Sequence, residues 1–250
     1  MIPLSGEYYV ECNEVFRRST NQAERMLDEL SAYAKDRSAL RILSVGSGAG
    51  LFEIPMLRTL GSAIARFVGV DVNEHACRLL QVKLENEFGT AFDFEVVNLA
   101  FQDYQTDRRF EVVLFNHTFE YLNGDRLSWI QKSRELLGEA GNVLIFSPNR
   151  GGINKYYDEV FSPCFSEDLE QMLSMVGIRH SKATIEAECD LTLLTGEDDD
   201  PDKIRLLSFL TQIDCRDLPA SMRGEFVEYY LSLRNGDSTL VPHPTTLFIL

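Results

Sequence analysis

The sequence of 250 residues is poor in basic side chains and has no long hydrophobic run. Its 24 lysines and arginines are outnumbered by 39 aspartates and glutamates, which gives a formal net charge of −15. Such a chain is a poor partner for nucleic acid or an anionic membrane, because both bind through a basic face. No stretch approaches the ~18 consecutive apolar residues that cross a bilayer, so we expect no transmembrane helix.

Cysteine is also scarce, and its spacing excludes two kinds of site. The sequence lacks the CxxC pairs of a zinc site and the cysteine density of a disulfide framework. We therefore expect reduced thiols, no bound metal and a reducing compartment for the five cysteines, which are Cys12, Cys77, Cys164, Cys189 and Cys215. The first ten residues lack the basic start and apolar run of a signal peptide, which favours the cytoplasm.

From residue 41 onward, short apolar runs alternate with segments of helical length. The runs occupy 41–45, 65–70, 92–97, 110–115 and 142–146, and the helical segments occupy 51–60, 74–88 and 125–137. This alternation predicts βαβ units, and therefore an α/β fold with a doubly wound, mostly parallel sheet covered by helices on both faces. Further strands at 178–185 and 245–250 bring the number to seven, and we expect the last strand to be antiparallel.

The remaining segments are mainly helical. The first ~35 residues predict helix, with Ser19 or Thr20 as a cap, and Ser166 is expected to cap a helix over 166–176. Two more helices are expected at 203–210 and 220–233. We therefore predict a single domain over 1–250, divided into a helical cap (1–38), an α/β core (39–195), a helical insertion (196–242) and a last strand (243–250). The acidic loop within 196–202 lacks the spacing of a calcium-binding loop.

A glycine-rich turn follows the first predicted strand. The stretch LRILSVGSGAG places Gly46, Gly48 and Gly50 between that strand and a helix, where glycine lets the backbone turn tightly and approach a ligand. A dinucleotide fingerprint ends in Gly or Ala at the position that Leu51 occupies here. The spacing GxGxG therefore favours S-adenosylmethionine over NAD, and no phosphate-binding GxxxxGK[ST] motif is present.

An acidic residue ends the second predicted strand. Asp71 lies 21 residues after Gly50, where a carboxylate can accept hydrogen bonds from both hydroxyls of a ribose. The alternative is that Asp71 or Asn73 simply caps the helix at 74–88.

Polar side chains also follow the fourth predicted strand, in FEVVLFNHTFEYL. Asn116, His117, Glu120 and Tyr121 thus lie at the edge of the sheet where ligands bind doubly wound folds. A histidine here is either a site residue or a satisfied core residue. The later loop at 147–157, with two tyrosines, either walls an acceptor pocket or forms an ordinary turn.

Together these motifs resemble class I S-adenosylmethionine-dependent methyltransferases, and in particular the histamine N-methyltransferase family. The stretches that carry the closer resemblance are YYVECNEVFRRST, ILSVGSGAG, SEDLEQMLSMVGI, LLSFLTQ and LPASMRGEF, which keep their order along nearly the whole chain. The resemblance implies a Rossmann-like fold in which S-adenosylmethionine is the methyl donor. The resemblance also implies that the α/β core binds this donor.

The resemblance also implies roles for individual residues. The expected donor-binding residues are Gly46, Ser47, Gly48, Asp71, Val72, Asn98, Ala100 and Asn116. The expected acceptor-binding residues are Tyr9, Asn21, His117, Glu120, Tyr121, Tyr157 and His243. The acceptor side departs from the family pattern: Asn21 replaces a glutamate, His117 a glutamine and Glu120 a tyrosine, while His243 or Pro244 stands where the family has an asparagine.

These observations predict an enzyme that methylates a small molecule by in-line transfer, through N-methylation of an imidazole- or amine-containing acceptor. His117 and Glu120 are the candidate catalytic residues, either as a base or to orient the acceptor, and the tyrosines could attract a cation. Three alternatives stay open: an O- or C-methyltransferase, an NAD-dependent oxidoreductase and a non-catalytic donor-binding module. We expect a cytoplasmic monomer whose partner is a small molecule, without nucleic acid or membrane.

Overall fold

The computed structural model describes residues 4–122 and 125–250, and the chain forms two compact units. The sheet unit comprises residues 26–147, 164–184 and 246–250. The helical unit comprises the residues up to Arg25 together with 148–163 and 185–245. The single-domain division that we expect from the sequence stays a prediction.

Nine strands are described; seven of them overlap predicted strands, and two short ones were not predicted. They are β1 (Leu40–Val45), β2 (Ile64–Asp71), β3 (Asp93–Asn98), β4 (Phe110–Asn116), β5 (Leu137–Pro148), β6 (Ser181–Ile185), β7 (Glu188–Asp190), β8 (Leu240–Pro242) and β9 (Thr245–Ile249). Seven of them form one sheet in the order β3-β2-β1-β4-β5-β9-β6. The other two, β7 and β8, pair antiparallel as a separate small sheet.

The large sheet is mostly parallel, as the alternating pattern predicts. β1 runs parallel to both β2 and β4, and the pairs β2–β3 and β4–β5 are also parallel. Val143 and Leu250 exchange two backbone hydrogen bonds of 3.2 and 3.0 Å, the reciprocal pattern of an antiparallel pair. The predicted Rossmann-like, doubly wound fold with an antiparallel last strand is therefore confirmed.

The described α-helices also agree with the sequence periodicity. They are α1 (Gly6–Arg18), α2 (Gln22–Ala34), α3 (Glu53–Leu60), α4 (Glu74–Phe88), α5 (Arg126–Glu135), α6 (Lys155–Phe161), α7 (Ser166–Met175), α8 (Pro201–Thr211) and α9 (Ala220–Ser232). The N-terminal segment is two helices, and Thr20 Oγ1 accepts a hydrogen bond from Gln22 N at the start of α2. Within residues 4–122 and 125–250, no helix has the length and apolar character needed to cross a bilayer.

Each unit has its own hydrophobic core. In the sheet unit, the central strands bury side chains on both faces: Leu43 and Val113 on one face, and Leu114 and Leu144 on the other, are fully inaccessible to solvent. This is what parallel strands with helices on both sides require. In the helical unit, Tyr230 and Leu206 are fully buried among residues of α1, α8 and the small sheet.

Two local predictions need correction. Ser166 is not a cap but the first residue of α7, and the residue before it is Phe165. The backbone N–H of Phe165 donates to Asp168 Oδ2 at 3.0 Å, so this aspartate holds the entry of the helix. The loop predicted over 147–157 is not irregular throughout, because α6 begins within it at Lys155.

Candidate active site

A cavity of about 740 Å³ opens at the carboxyl ends of the parallel strands. Its volume lies in the range of small-molecule sites. All of its lining residues belong to the sheet unit. They are Val45, Gly46, Val70, Asp71, Val72, Leu99, Ala100, Phe101, Gln102, Thr118, Tyr121, Leu122, Asp125, Ser128, Trp129 and Lys132. Five residues of the expected site therefore lie in this lining, namely Gly46, Asp71, Val72, Ala100 and Tyr121.

The glycine-rich turn forms one side of the cavity. Gly46 and Gly48 have positive φ angles of 70° and 53°, a conformation that suits glycine far better than other residues. Gly46 N donates to Val70 O at 2.7 Å, which ties the turn to β2. A Cβ atom on Gly46 would lie only 2.4 Å from side-chain atoms of Thr118, whereas a Cβ on Gly48 would meet nothing within 4 Å. The turn thus leaves open space beside Gly48.

Asp71 lies at the end of β2 and faces this turn. Its Oδ2 accepts a hydrogen bond from Gly48 N at 2.8 Å, and its Oδ1 accepts one from Asn73 N at 2.7 Å. Burial raises the pKa of the Asp71 carboxyl, and backbone hydrogen bonds from Asn73, Gly48 and Val72 oppose that rise. A carboxylate offers about four acceptor positions, so Asp71 retains capacity for a hydroxyl group of a ligand.

The capping alternative for Asp71 is resolved by its neighbour. The side chain of Asn73 accepts a hydrogen bond from Ala76 N at 3.2 Å and is the cap of α4. Asn98, another predicted donor residue, donates from Nδ2 to Asp71 O at 3.0 Å. It therefore joins the ends of β2 and β3 beside the cavity.

The apolar walls of the cavity include residues that the sequence did not single out. The rings of Phe101 and Trp129 stack with centroids 5.6 Å apart, and Lys132 Nζ donates to Gln102 O at 2.8 Å. Val72 is 72% exposed although it is aliphatic. An exposed aliphatic side chain beside two stacked rings offers apolar surface to a flat ligand.

Two buried polar atoms near the glycine turn lack a hydrogen-bond partner among the described residues. They are Asn116 Oδ1, at the end of β4, and Ser47 Oγ, within the turn. Buried polar groups are usually satisfied by protein or by a bound group. Neither residue lines the cavity, and Ser47 Oγ lies only 2.8 Å from the position that a Cβ atom on Gly69 of β2 would take. The space beside Gly48 and the acceptor capacity of Asp71 are the features that fit a hydroxyl-bearing ligand.

His117 and Glu120 follow β4 directly. His117 has φ = 48°, and its backbone N–H donates to Phe146 O at 3.1 Å. Its Nδ1 lies 3.5 Å from Glu120 Oε1, and the two side chains are 16% and 3% exposed. Tyr121 is 43% exposed and lines the cavity.

The other predicted acceptor residues belong to the helical unit. The ring of half-buried Tyr9 lies 5.9 Å from that of Phe209, and the ring of Tyr157 lies 5.2 Å from that of Phe161. Each tyrosine thus packs against a phenylalanine of its own unit.

Asn21 and His243 have polar partners within the helical unit. Asn21 Oδ1 accepts a hydrogen bond from Glu188 N at 2.9 Å, which fixes the start of β7. His243 is 4% exposed, and its Nε2 lies 3.0 Å from Gln22 Nε2. These contacts give both residues a structural role, while their role in binding an acceptor stays a prediction.

Comparison with known proteins identifies the family. A family model described as "Methyltransferase domain" matches residues 16–179, about two thirds of the chain. The chain belongs to the methyltransferase domain family. The methyltransferase is 24% identical over 258 residues to histamine N-methyltransferase A from Xenopus laevis, a match that covers 88% of this chain and 85% of the relative.

Solved structures share the fold of the methyltransferase. An S-adenosylmethionine-dependent methyltransferase from Thiobacillus denitrificans superposes with a TM-score of 0.57 at 14% identity, over 91% of this chain and 90% of the other. Another from Geobacter sulfurreducens gives 0.56 at 16% identity, with the same coverage. Both of those proteins were crystallised in complex with S-adenosyl-L-homocysteine. The methyltransferase fold predicted from the glycine turn and Asp71 is thus confirmed.

Proposed function

We propose that the protein transfers a methyl group from S-adenosylmethionine to a small molecule. The observation that carries the proposal is the placement of Asp71 between the glycine-rich turn and the cavity, with hydrogen bonds of 2.8 and 2.7 Å that fix its carboxylate. Family membership and the two fold relatives in complex with S-adenosyl-L-homocysteine support this donor.

The proposed donor-binding residues fall into groups, each of which would contact a different part of S-adenosylmethionine. Asp71 would accept hydrogen bonds from the ribose, and the exposed Val72 would cover one face of the base. Ser47 and Asn116 are also proposed as donor-binding residues, because they lie in the glycine-rich turn and at the end of β4. Gly46, Gly48, Asn98 and Ala100 would shape the surface against which the ligand lies.

S-adenosylmethionine, when bound, supplies a methyl group attached to a positively charged sulfur. The chain must then align an acceptor atom behind that methyl group and keep water away, because proximity and a dry site account for most of such catalysis. The buried strand ends and the stacked Phe101 and Trp129 rings suit this task.

For the acceptor, we propose an imidazole- or amine-containing small molecule. The similarity to a protein named histamine N-methyltransferase A supports this class, as does a buried carboxylate next to His117, which favours a cation. The proposed acceptor-binding residues are Tyr9, Asn21, His117, Glu120, Tyr121, Tyr157 and His243. We also propose a monomer, and a cytoplasmic location that is supported by five buried cysteines, none of which forms a disulfide bond in the part of the chain that the structure describes.

Calorimetry with S-adenosylhomocysteine tests the proposal. The wild-type protein should bind this product, and Asp71→Asn should weaken binding by roughly 10- to 100-fold, because hydrogen bonds to a charged group are worth about 1.5–3 kcal/mol. The control is Asp107→Asn, an exposed aspartate on the loop before β4, which should leave binding unchanged. Absence of binding by the folded wild-type protein would contradict the proposal, and binding of NADH instead would favour an oxidoreductase.

A further inference from the structure

The residues that follow β3 form one wall of the cavity. Four consecutive residues, the 99–102 segment, line it. The segment is neither strand nor helix, and Asp103 N closes a turn by donating to Ala100 O at 2.9 Å. At the start of the segment, Leu99 N donates to Asp71 O at 3.0 Å. Because an irregular segment has few backbone hydrogen bonds of its own, its position depends on the side chains that hold it.

The 99–102 segment lies next to the residue that is proposed to hold the ribose. Asp71 and Asn98 are paired in the parallel register of β2 and β3, so the residues after them, Val72 and Leu99, are also neighbours. These two aliphatic residues are 72% and 39% exposed, and both line the cavity. They offer an apolar surface to the flat base of the proposed donor. The 99–102 segment is therefore on the side of the cavity that the base would occupy.

Phe101 holds the inner side of this segment. It is only 4% exposed, and its ring stacks on that of Trp129 with centroids 5.6 Å apart and planes 21° apart. The ring also meets the edge of Phe115 of β4 at 5.7 Å. These contacts belong to the hydrophobic core of the sheet unit, so the main contribution of Phe101 is to stability.

Lys132 holds the outer side of the segment. It follows Trp129 by three residues on α5, so the two share a helix face, and both line the cavity. Lys132 Nζ donates to Gln102 O at 2.8 Å. The same atom lies 5.1 Å from the centroid of the Phe101 ring, within the range of a cation–π interaction. One lysine on a helix thus contacts two consecutive residues of the segment.

The surroundings of Lys132 strengthen this contact. Burial lowers the pKa of its amino group, and the charges of Asp103 and Glu135 oppose that shift. The amino group is thus partly removed from water, while two carboxylates favour its charged form, and a charged donor makes the stronger hydrogen bond. Lys132 as a whole is nevertheless exposed, so its replacement should cost little global stability.

We infer that Lys132 is a positioning residue for the methyl donor, which holds the 99–102 segment in the shape that receives the adenosine part. The inference rests on the proposed function and adds a residue that no motif of the sequence indicates. A segment that is already fixed in the free protein has less conformational freedom to lose when a ligand binds. Such an effect is the same for donor and product, so it changes affinity rather than the rate of transfer.

The first test is a titration followed by the fluorescence of Trp129. This residue is the single tryptophan of the chain and lines the cavity, so S-adenosylhomocysteine and adenosine should both change its emission. Lys132→Met keeps the length of the side chain but has no N–H donor. It should weaken binding of both ligands by the same factor, about 3- to 10-fold, the range for the loss of one hydrogen bond.

Two further variants serve as the comparison for Lys132→Met. Lys132→Arg should restore most of the affinity, because a guanidinium can donate to the Gln102 carbonyl and interact with the Phe101 ring. Lys182→Met is the matched control, since Lys182 Nζ donates to Glu170 Oε2 at 2.7 Å on β6, away from the lining of the cavity. This control should bind both ligands like wild type.

The second test measures the free protein without turnover. Quenching of Trp129 by acrylamide should be stronger in free Lys132→Met than in free wild type, because the segment beside the tryptophan is held less firmly. Saturating S-adenosylhomocysteine should remove that difference, since the ligand itself then fixes the segment. The midpoint of urea denaturation without ligand should stay close to that of wild type, which a purely structural role would not predict.

The outcomes separate the inference from the proposed function. Wild-type affinity in Lys132→Met, a loss that Lys132→Arg does not restore, or a loss confined to S-adenosylhomocysteine and absent for adenosine would overturn the inference. A fall in the urea midpoint that accounts for the loss of affinity would overturn it as well. In each of these cases the wild-type protein still binds S-adenosylhomocysteine, whereas failure of that binding would remove the proposed function.

Discussion

At the scale of single residues, Gly46 is fixed by two independent constraints. Its φ of 70° favours glycine, and the side chain of Thr118 occupies the space that a Cβ would need. The glycine and the threonine come from two neighbouring strand ends, so their contact sets how closely the turn approaches the end of β4. The residue is therefore needed for packing as well as for its proposed role in binding the donor.

Replacement of Gly46 by alanine should separate these two constraints. Gly177→Ala is the matched control, because Gly177 also has φ = 70° but has open space around its Cβ position. The control should lower the free energy of unfolding by about 1–2 kcal/mol from backbone strain alone, and Gly46→Ala by about 2–5 kcal/mol, since overpacking adds to it. Urea denaturation measures both, and equal losses would show that the Thr118 contact yields without cost.

The sequence allows us to predict those candidate site residues that belong to a local motif. Gly46 and Asp71 could be found because each follows an apolar run at a strand end. Trp129 and Lys132 could not, since α5 brings them to the cavity through tertiary packing that no spacing records. The choice between Asp71 and Asn73 as helix cap also needed geometry, because either side chain can accept the same kind of hydrogen bond.

At the scale of elements, the bounds of a strand or helix are predicted accurately where the apolar periodicity of the sequence is strong. β2 and α4 match to within one residue, because an eight-residue buried strand and a four-turn amphipathic helix carry strong signals. β5 begins five residues before its predicted start, since Gly138 and Gly141 interrupt the apolar pattern there. The three-residue strands β7 and β8 are too short to show any alternation, and the small sheet was missed.

The cap of α4 gives a prediction at this scale. Asn73→Ala should lower the free energy of unfolding by about 1 kcal/mol, because it removes the hydrogen bond that satisfies Ala76 N at the helix start. Ser5→Ala is the control, since Ser5 precedes α1 but makes no capping bond with its side chain. Thermal and urea denaturation would measure both variants, and a Ser5 loss as large as the Asn73 loss would contradict this assignment.

At the scale of the whole molecule, the cavity belongs to one unit only. Its lining residues all come from the sheet unit, while the helical unit has a hydrophobic core of its own. A ligand that binds there should therefore stabilise the two units unequally. The stabilisation available at 100 times the Kd is about 2.7 kcal/mol.

Hydrogen–deuterium exchange would measure this inequality. With saturating S-adenosylhomocysteine, exchange should slow most in the glycine turn, the end of β2 and the start of α4, and least in α8 and α9. Asp71→Asn at the same ligand concentration is the control and should lose most of the protection. Protection spread evenly over both units would show that they open as one cooperative body.

The position of β9 has a consequence for the order of events during synthesis on the ribosome. This strand occupies residues 245–249 yet lies between β5 and β6, which are both made earlier. While the chain is being translated, the slot between those two strands stays vacant and their edges lack a neighbour. The emerging polypeptide therefore exposes two open strand edges until β9 has left the exit tunnel, a period in which a chaperone that shields such edges would improve the yield.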